Sequence, residues 1–192
     1  RLLDGLDASP MKDNTIIVLW SDHGFHIGEK QNWEKFALWD QTTRVPFFVH
    51  APGVSRDGAT TRQPTTLTDI YPTLCELAGL PVPELCTGVS LVSQLKNPNA
   101  PRDRMALTAF QFWNEKTPSL AVADSRYRFI RYGDGFEELY DLEKDPHEFK
   151  NLIADPRLAK VKMRLANALP KKVTPIQKIP QDSPFHRGRK RN

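Results

Sequence analysis

Hydrophobic positions along the chain change texture near residue 100. Before that point they come as continuous runs and one helical stripe. Residues 15–20 (Thr15-Ile16-Ile17-Val18-Leu19-Trp20) are an unbroken apolar, mostly β-branched run, bracketed by Asp13-Asn14 and Ser21-Asp22-His23-Gly24. Continuous rather than alternating hydrophobicity predicts a strand buried on both faces, as in a parallel sheet between helices. Residues 45–50 (Val45-Pro46-Phe47-Phe48-Val49-His50) predict a second strand, ended by Pro52-Gly53, with Pro46 at its start or at an irregular position. Residues 68–78 read as a helix. Thr68 suits the N-cap, Asp69 the first turn, and Pro72 still falls where a missing N–H does little harm. Ile70, Leu74, Leu77 and Ala78 make its apolar stripe, and Gly79 is the C-terminal stop. Strand, loop, strand and helix are the grammar of an α/β domain.

After residue 101 the runs shorten and alternate. Residues 120–123 predict a short strand, and residues 127–132 a strand with one solvated face. Gly133-Asp134-Gly135 is turn chemistry, and residues 137–142 return as a further strand. A helix over 156–169 places Leu158, Val161, Leu165 and Ala168 on one face. The expected organisation is an α/β portion over 1–100, a small antiparallel-sheet and helix subdomain over 101–170, and a basic, Pro-rich tail over 171–192. No internal repeat is present. Arg1-Leu2-Leu3-Asp4-Gly5-Leu6 reads as the tail of an amphipathic helix, so Arg1 reads as an interior cut.

Composition sharpens this picture. The 192 residues, 39% hydrophobic and 26% charged, suffice for one ordinary globular core. No apolar run approaches the roughly 18 residues of a membrane span. The net charge of +4 comes from the tail. Of 27 basic and 23 acidic residues, the tail holds seven (Lys171, Lys172, Lys178, Arg187, Arg189, Lys190, Arg191) and one (Asp182), leaving a body of 20 and 22. That body makes no case for nucleic acid, although the tail could touch acidic glycans if it is more than a solvated terminus. Cys75 and Cys86 could form a disulfide, but Cys75 falls in the predicted helix and simple packing explains both. There is no Asn-x-Ser/Thr sequon.

The main chemical candidate is Ser21-Asp22-His23-Gly24, directly after the first strand. In open α/β sheets ligands bind outside the carboxyl ends of strands, where a carboxylate and an imidazole can share a metal. Gly24 lets the chain turn without a side chain in the way. Alone, an Asp-His pair is more often a loop hydrogen bond.

The residues that follow change its weight. Gly28-Glu29, Trp33-Glu34-Lys35 and Arg44-Val45-Pro46 come after Ser21-Asp22-His23-Gly24 in an order and spacing that resemble the sulfatase family, in its iduronate-2-sulfatase-like branch. Thr68-Asp69-Ile70-Tyr71-Pro72-Thr73 with Leu77-Ala78-Gly79, and Leu139-Tyr140-Asp141-Leu142-Glu143-Lys144-Asp145-Pro146-His147-Glu148 with Asn151-Leu152, resemble two further family segments. The resemblance covers about residues 1–155. It implies an α/β fold, the C-terminal part of an alkaline-phosphatase-like sandwich, with the small antiparallel sheet as a subdomain.

It also implies roles. Asp22 and His23 would be ligands of a divalent cation, Ca²⁺ in most sulfatases. Lys35 would be the catalytic and substrate-binding ammonium beside the sulfate and its bridging oxygen. Apart from the resemblance, His26 lies near the motif and could line the substrate pocket, or equally take a surface or supporting place. Ca²⁺ prefers oxygen, and a His ligand by itself suits Zn²⁺ or Mn²⁺, so the motif leaves Mg²⁺, Mn²⁺ and Zn²⁺ open. Sulfatases attack with a formylglycine made within Cys/Ser-x-Pro/Ala-x-Arg. Neither cysteine has that setting, so the nucleophile and the paired upstream aspartates would lie in a missing N-terminal sulfatase segment, and this chain alone would be inactive. The compartment is unknown from the sequence; the resemblance favours export to the periplasm or outside the cell.

The expected reaction is hydrolysis of a sulfuric ester on a sulfated small molecule or carbohydrate. Phosphodiester or phosphonate-ester hydrolysis within the same superfamily, and a non-catalytic glycan-binding module, are the alternatives. Other residues have plainer readings. Arg44 and Asp40 can pair, Trp33 and Trp39 pack the loop, His50 is structural, and Asp141, Asp145 and Glu148 serve turns and caps. Gln111, Trp113 and Asn114 sit in a loop that could reach the pocket.

Overall fold

The computed structural model describes residues 1–112 and 116–174; Trp113, Asn114 and the tail beyond 174 lie outside the described residues. The chain opens with helix α1 (Leu2–Asp7) and a 3-10 turn, then enters β1 (Ile17–Trp20). A small hairpin, β2 (His26–Ile27) and β3 (Trp33–Glu34), precedes the one-turn helix α2 (Asp40–Thr43) and β4 (Phe47–His50). Next come α3 (Ile70–Leu77) and α4 (Val92–Lys96). Strands β5 (Ala106–Phe110), β6 (Ser119–Ala123), β7 (Tyr127–Arg131) and β8 (Glu137–Asp141) lead to α5 (Ala159–Ala168).

The first strand departs from expectation. β1 pairs antiparallel with β4, Ile17 opposite His50 and Trp20 opposite Phe47, not within a parallel sheet. Nor is it buried on both faces among the described residues, since Leu19 and Trp20 are 55% and 50% exposed. Continuous hydrophobicity reports a strand's affinity for cover but not the direction of its partner. Pro46 stands just ahead of β4, where its missing N–H removes no ladder bond, and its carbonyl accepts from Ser21 N at 3.3 Å.

The helix over 68–78 forms, but its start is shifted. A 3-10 turn (Leu67–Asp69) leads into α3, and Thr66, not Thr68, is the N-cap. Asp69 Oδ2 reaches back to accept from Thr66 N at 2.8 Å, the acidic arm of a capping box. Gly79 ends the helix at φ +67°, where a Cβ would be strained. Asp69 does more than cap. It is buried, accepts from Val89 N at 2.8 Å and pairs with Arg102 Nη2 at 2.7 Å, which ties the 85–104 segment to the helix. Cys75 is buried, Cys86 is partly so, and both are free thiols.

The four strands β5-β6-β7-β8 form an antiparallel meander in that order. Three of them answer to the expected strands; β5 had no distinguishing pattern. One face of the sheet packs Leu120, Val122, Phe129 and Leu139 against Leu165 and Leu169 of the C-terminal helix region. The other face was expected to be solvated. Instead Ala121, Ile130 and Tyr140 pack on Leu38, a residue of the segment between β3 and α2. Burying a leucine of that kind contributes about 1.5–3 kcal/mol. Arg128 of β7 shares that covered face and is buried as well. The small sheet is a platform whose upper surface is covered by the loop that carries the chemistry.

Candidate functional site

β1 delivers Ser21-Asp22-His23-Gly24 into a turn held by its own short side chains. Ser21 Oγ donates to the His23 carbonyl at 2.8 Å, and Asp22 Oδ1 accepts from His23 N at 3.0 Å. Gly24 N donates to the Thr42 carbonyl at 2.9 Å. An added Cβ on Gly24 would stand 1.9 Å from the Gln41 carbonyl oxygen, so only glycine lets this turn lie against α2.

The imidazole of His23 is oriented from behind. Its Nδ1 lies 2.8 Å from the Gly24 carbonyl, which assigns the proton to Nδ1 and leaves the Nε2 lone pair facing outward. Two groups meet that lone pair. Lys35 Nζ donates to it at 2.9 Å, and Asp22 Oδ2 lies 3.5 Å away. Asp22, His23 and Lys35, singled out from a 14-residue stretch, thus converge on one point at the protein surface.

This donor set matches part of what a divalent cation needs. Asp22 offers an oxygen not used by the turn, and His23 offers a nitrogen whose tautomer is already set for ligation. Lys35 now occupies that Nε2 lone pair, so a cation binds there only with the ammonium turned away from His23. The pair fits part of a shell, and only part. Among the described residues no third His, Cys, Asp or Glu joins them. Ca²⁺ takes six to eight oxygen-rich ligands, so most would come from elsewhere.

His26 occupies a different place. Its ring is 0% exposed, packs edge-on against Trp39 with centroids 5.6 Å apart, and among the described residues has no hydrogen-bond partner on either nitrogen. Burial lowers its pKa, opposed by Glu29, whose carboxylate is 3.9 Å from Nδ1. In this conformation His26 supports the loop from within. Trp39 packs as expected, donating Nε1–H to Glu138 at 2.8 Å, whereas the Trp33 ring is largely exposed beside Gly28.

Beneath the site runs a polar network that sequence reasoning missed. Lys30, at the tip of the β2–β3 hairpin, has a left-handed backbone (φ +53°). Its ammonium lies 4.2 Å and 4.5 Å from the ring centroids of Trp39 and Tyr140, and donates to Tyr140 Oη at 3.0 Å and the Glu148 carbonyl at 2.5 Å. Burial lowers its pKa, resisted by Glu138 and Glu148. Glu148 closes the expected turn, its N–H donating to the Asp145 carbonyl at 3.0 Å, and is also buried; its carboxylate accepts from Asp40 N at 2.7 Å and lies 3.0 Å from Arg128 Nε in an ion pair too poorly aligned to be a hydrogen bond. Arg128 also grips Asp40 at 2.7 Å. The expected Arg44–Asp40 pair exists, but at 3.7 Å and with Arg44 largely in solvent. These partners lie about a hundred residues apart, and no local pattern announces them. Asp141 and Asp145 do serve turns, accepting from Glu143 N and Lys150 N.

Comparison with known proteins agrees with this architecture. Residues 28–174 match the family model described as N-sulphoglucosamine sulphohydrolase, C-terminal. A sulfatase of Formosa agariphila is 41% identical over 151 residues, 79% of this chain and 29% of that protein. A solved structure in complex with its substrate D-glucosamine-2-N,6-O-disulfate superposes with a TM-score of 0.79 at 27% identity, over 87% of this chain and 35% of that one. The phosphonate monoester hydrolase of Agrobacterium radiobacter is also similar, with a TM-score of 0.72 at 28% identity over 87% of this chain and 36% of that one. The chain thus spans about a third of the length of these proteins. Its fold is the alkaline-phosphatase-like arrangement of mixed helices and strands with a small antiparallel sheet. By its family match, its relatives and its fold, the chain belongs to the sulfatase family, whose C-terminal region it carries.

Proposed function

We propose that the protein carrying this chain hydrolyses sulfuric esters of sulfated carbohydrates, and that the chain supplies one side of the metal and sulfate site. The observation that carries this reading is the approach of Lys35 Nζ to His23 Nε2 at 2.9 Å, with Asp22 Oδ2 alongside. The carbohydrate class rests on the disulfated glucosamine bound by the similar structure.

In this reading Asp22 and His23 would hold a divalent cation, Ca²⁺ before Mg²⁺, Mn²⁺ or Zn²⁺, which would take the single Nε2 lone pair in place of the Lys35 ammonium and supply Lewis-acid neutralisation of sulfate oxygens. Lys35 places a compact point charge where the leaving oxygen gains negative charge, and a fixed ammonium there favours the transition state over the ground state. The Gly24 carbonyl keeps His23 in the ligating tautomer. His26 and Trp39 hold the loop's inner side. A formylglycine nucleophile would come from a segment outside these residues, so the chain alone is expected to be inactive.

The test is Lys35→Ala in the whole protein, assayed for sulfate release from D-glucosamine-2-N,6-O-disulfate and other sulfated sugars. Turnover is expected to fall by a factor on the order of a hundred or more while circular dichroism is unchanged. A near-wild-type rate would remove Lys35 from the mechanism. The phosphonate hydrolase likeness favours a second reading, phosphonate or phosphate-ester hydrolysis at the same site. A faster reaction on phenylphosphonate monoesters than on any sulfated sugar would establish that reading instead.

A further inference from the structure

We propose that Lys30 is a positioning residue for Lys35, anchoring the hairpin from which Lys35 reaches His23. The proposal rests on the reading of Lys35 as the sulfate-side cation. Its basis is geometric. The hairpin has only two residue pairs, His26 with Glu34 and Ile27 with Trp33, too few to hold a strand end by itself. Lys35 leaves directly from the end of β3, and His23 enters three residues before β2. Buried His26, packed on Trp39, holds the base of the hairpin, and what fixes its far end is the tip. Lys30 there adopts a left-handed backbone, as does Gln31 after it, a conformation that is energetically costly for a residue with a side chain.

That cost is offset by where the side chain goes. The ammonium enters a cage formed by the rings of Trp39 and Tyr140, the Tyr140 hydroxyl and the Glu148 carbonyl. Two walls of the cage belong to the small-sheet subdomain. That subdomain is in turn clamped to the site loop by Arg128, Asp40 and Glu148. The sheet platform therefore sets the height and angle of the hairpin, and Lys30 is the link. A methionine or leucine could fill the apolar part of the cage but would leave the Glu148 carbonyl and the Tyr140 hydroxyl without their donor.

The experiment uses the whole protein with Lys30→Met, Lys30→Arg, Tyr140→Phe and Lys35→Ala. The first readout needs no substrate: hydrogen exchange of residues 26–36, expected to quicken in Lys30→Met and less so in Tyr140→Phe, with the core strands unchanged. The second is kinetics on D-glucosamine-2-N,6-O-disulfate or whichever sulfated sugar the enzyme accepts. Lys30→Met is expected to lower kcat by a factor on the order of ten to a hundred with little change in KM, and Lys30→Arg to recover part of it. In a Lys35→Ala background Lys30→Met should cost nothing further, because its effect passes through Lys35. Should Lys30→Met fail to fold, Tyr140→Phe decides on the same two readouts. Wild-type exchange in the hairpin, or a full additional loss in the double variant, overturns the proposal. A dead Lys35→Ala beside a wild-type Lys30→Met overturns it while leaving the sulfatase reading standing. A wild-type Lys35→Ala overturns both.

Discussion

His23 presents Nε2 to Lys35 Nζ at 2.9 Å because its other ring nitrogen is committed to the Gly24 carbonyl. One backbone oxygen thus selects the tautomer, and the tautomer selects what the outward face can bind. A lone pair flanked by a carboxylate attracts cations, whether an ammonium or a metal ion.

Calcium is expected to raise the Tm of the whole protein, and EDTA to reverse the effect. Binding to the native state alone stabilises by about 2.7 kcal/mol when the ion is at a hundred times its Kd. Asp22→Asn and His23→Gln should each shrink the calcium-dependent shift in a thermal melt. A shift of unchanged size in both variants takes this pair out of the metal shell.

Gly24→Ala should disturb the site without touching any charged group. Its new Cβ would meet the Gln41 carbonyl oxygen, a backbone atom that cannot swing aside as a side chain could. The turn and α2 must separate, at a cost of about 1–3 kcal/mol typical of overpacking. Denaturant unfolding measures the cost, and an activity assay reads the displacement of His23. Wild-type behaviour in both would mean that the two segments are not packed this way.

Arg128→Met removes the cation shared by Asp40 and Glu148 and leaves both carboxylates without it. Breaking a buried pair from one side costs about 3–5 kcal/mol. The destabilisation should centre on contacts between the site loop and the small sheet, seen as faster hydrogen exchange in residues 36–43. Adding Glu148→Gln should recover part of the loss. A variant as stable as wild type would mean that Arg128 is not a clamp.

Stability should also carry a pH signature from Glu148. Burial pushes its pKa up from 4.5 to about 7, against the pull of Arg128. The native state therefore holds this proton over a range where the unfolded chain has released it. The contribution is fully present below about pH 4.5 and is lost as pH rises through about 7. Denaturant midpoints at about pH 4 and 8 bracket that window. Glu148→Gln keeps an acceptor for Asp40 N and should remove this part of the slope. An identical slope in the variant assigns it to other groups.

Residues 15–50 were legible because their signals are local. A β-branched run, a glycine that alone fits its turn, and Asp22, His23 and Lys35 within fourteen residues are written next to one another. The helix ending at Gly79 and the strands over 119–141 follow from periods of 3.6 and 2 in the same way. Partner choice was not legible. The apolar run of β1 says that it needs cover, and only the fold makes its neighbour β4 and the pairing antiparallel. Arg128 and Glu148 look like surface charges in their own segments; Leu38 and Asp40, some ninety residues earlier, bury them. Lys30 looks like an ordinary hairpin lysine until Tyr140 and Glu148 close around it. Local sequence specified the apolar strands over 15–50, the helix that ends at Gly79, the glycine-dependent turn and the closeness of Asp22, His23 and Lys35 along the chain. The tertiary structure decided which charges are buried and what holds the site loop in place, because those energies belong to contacts between segments that no local pattern encodes.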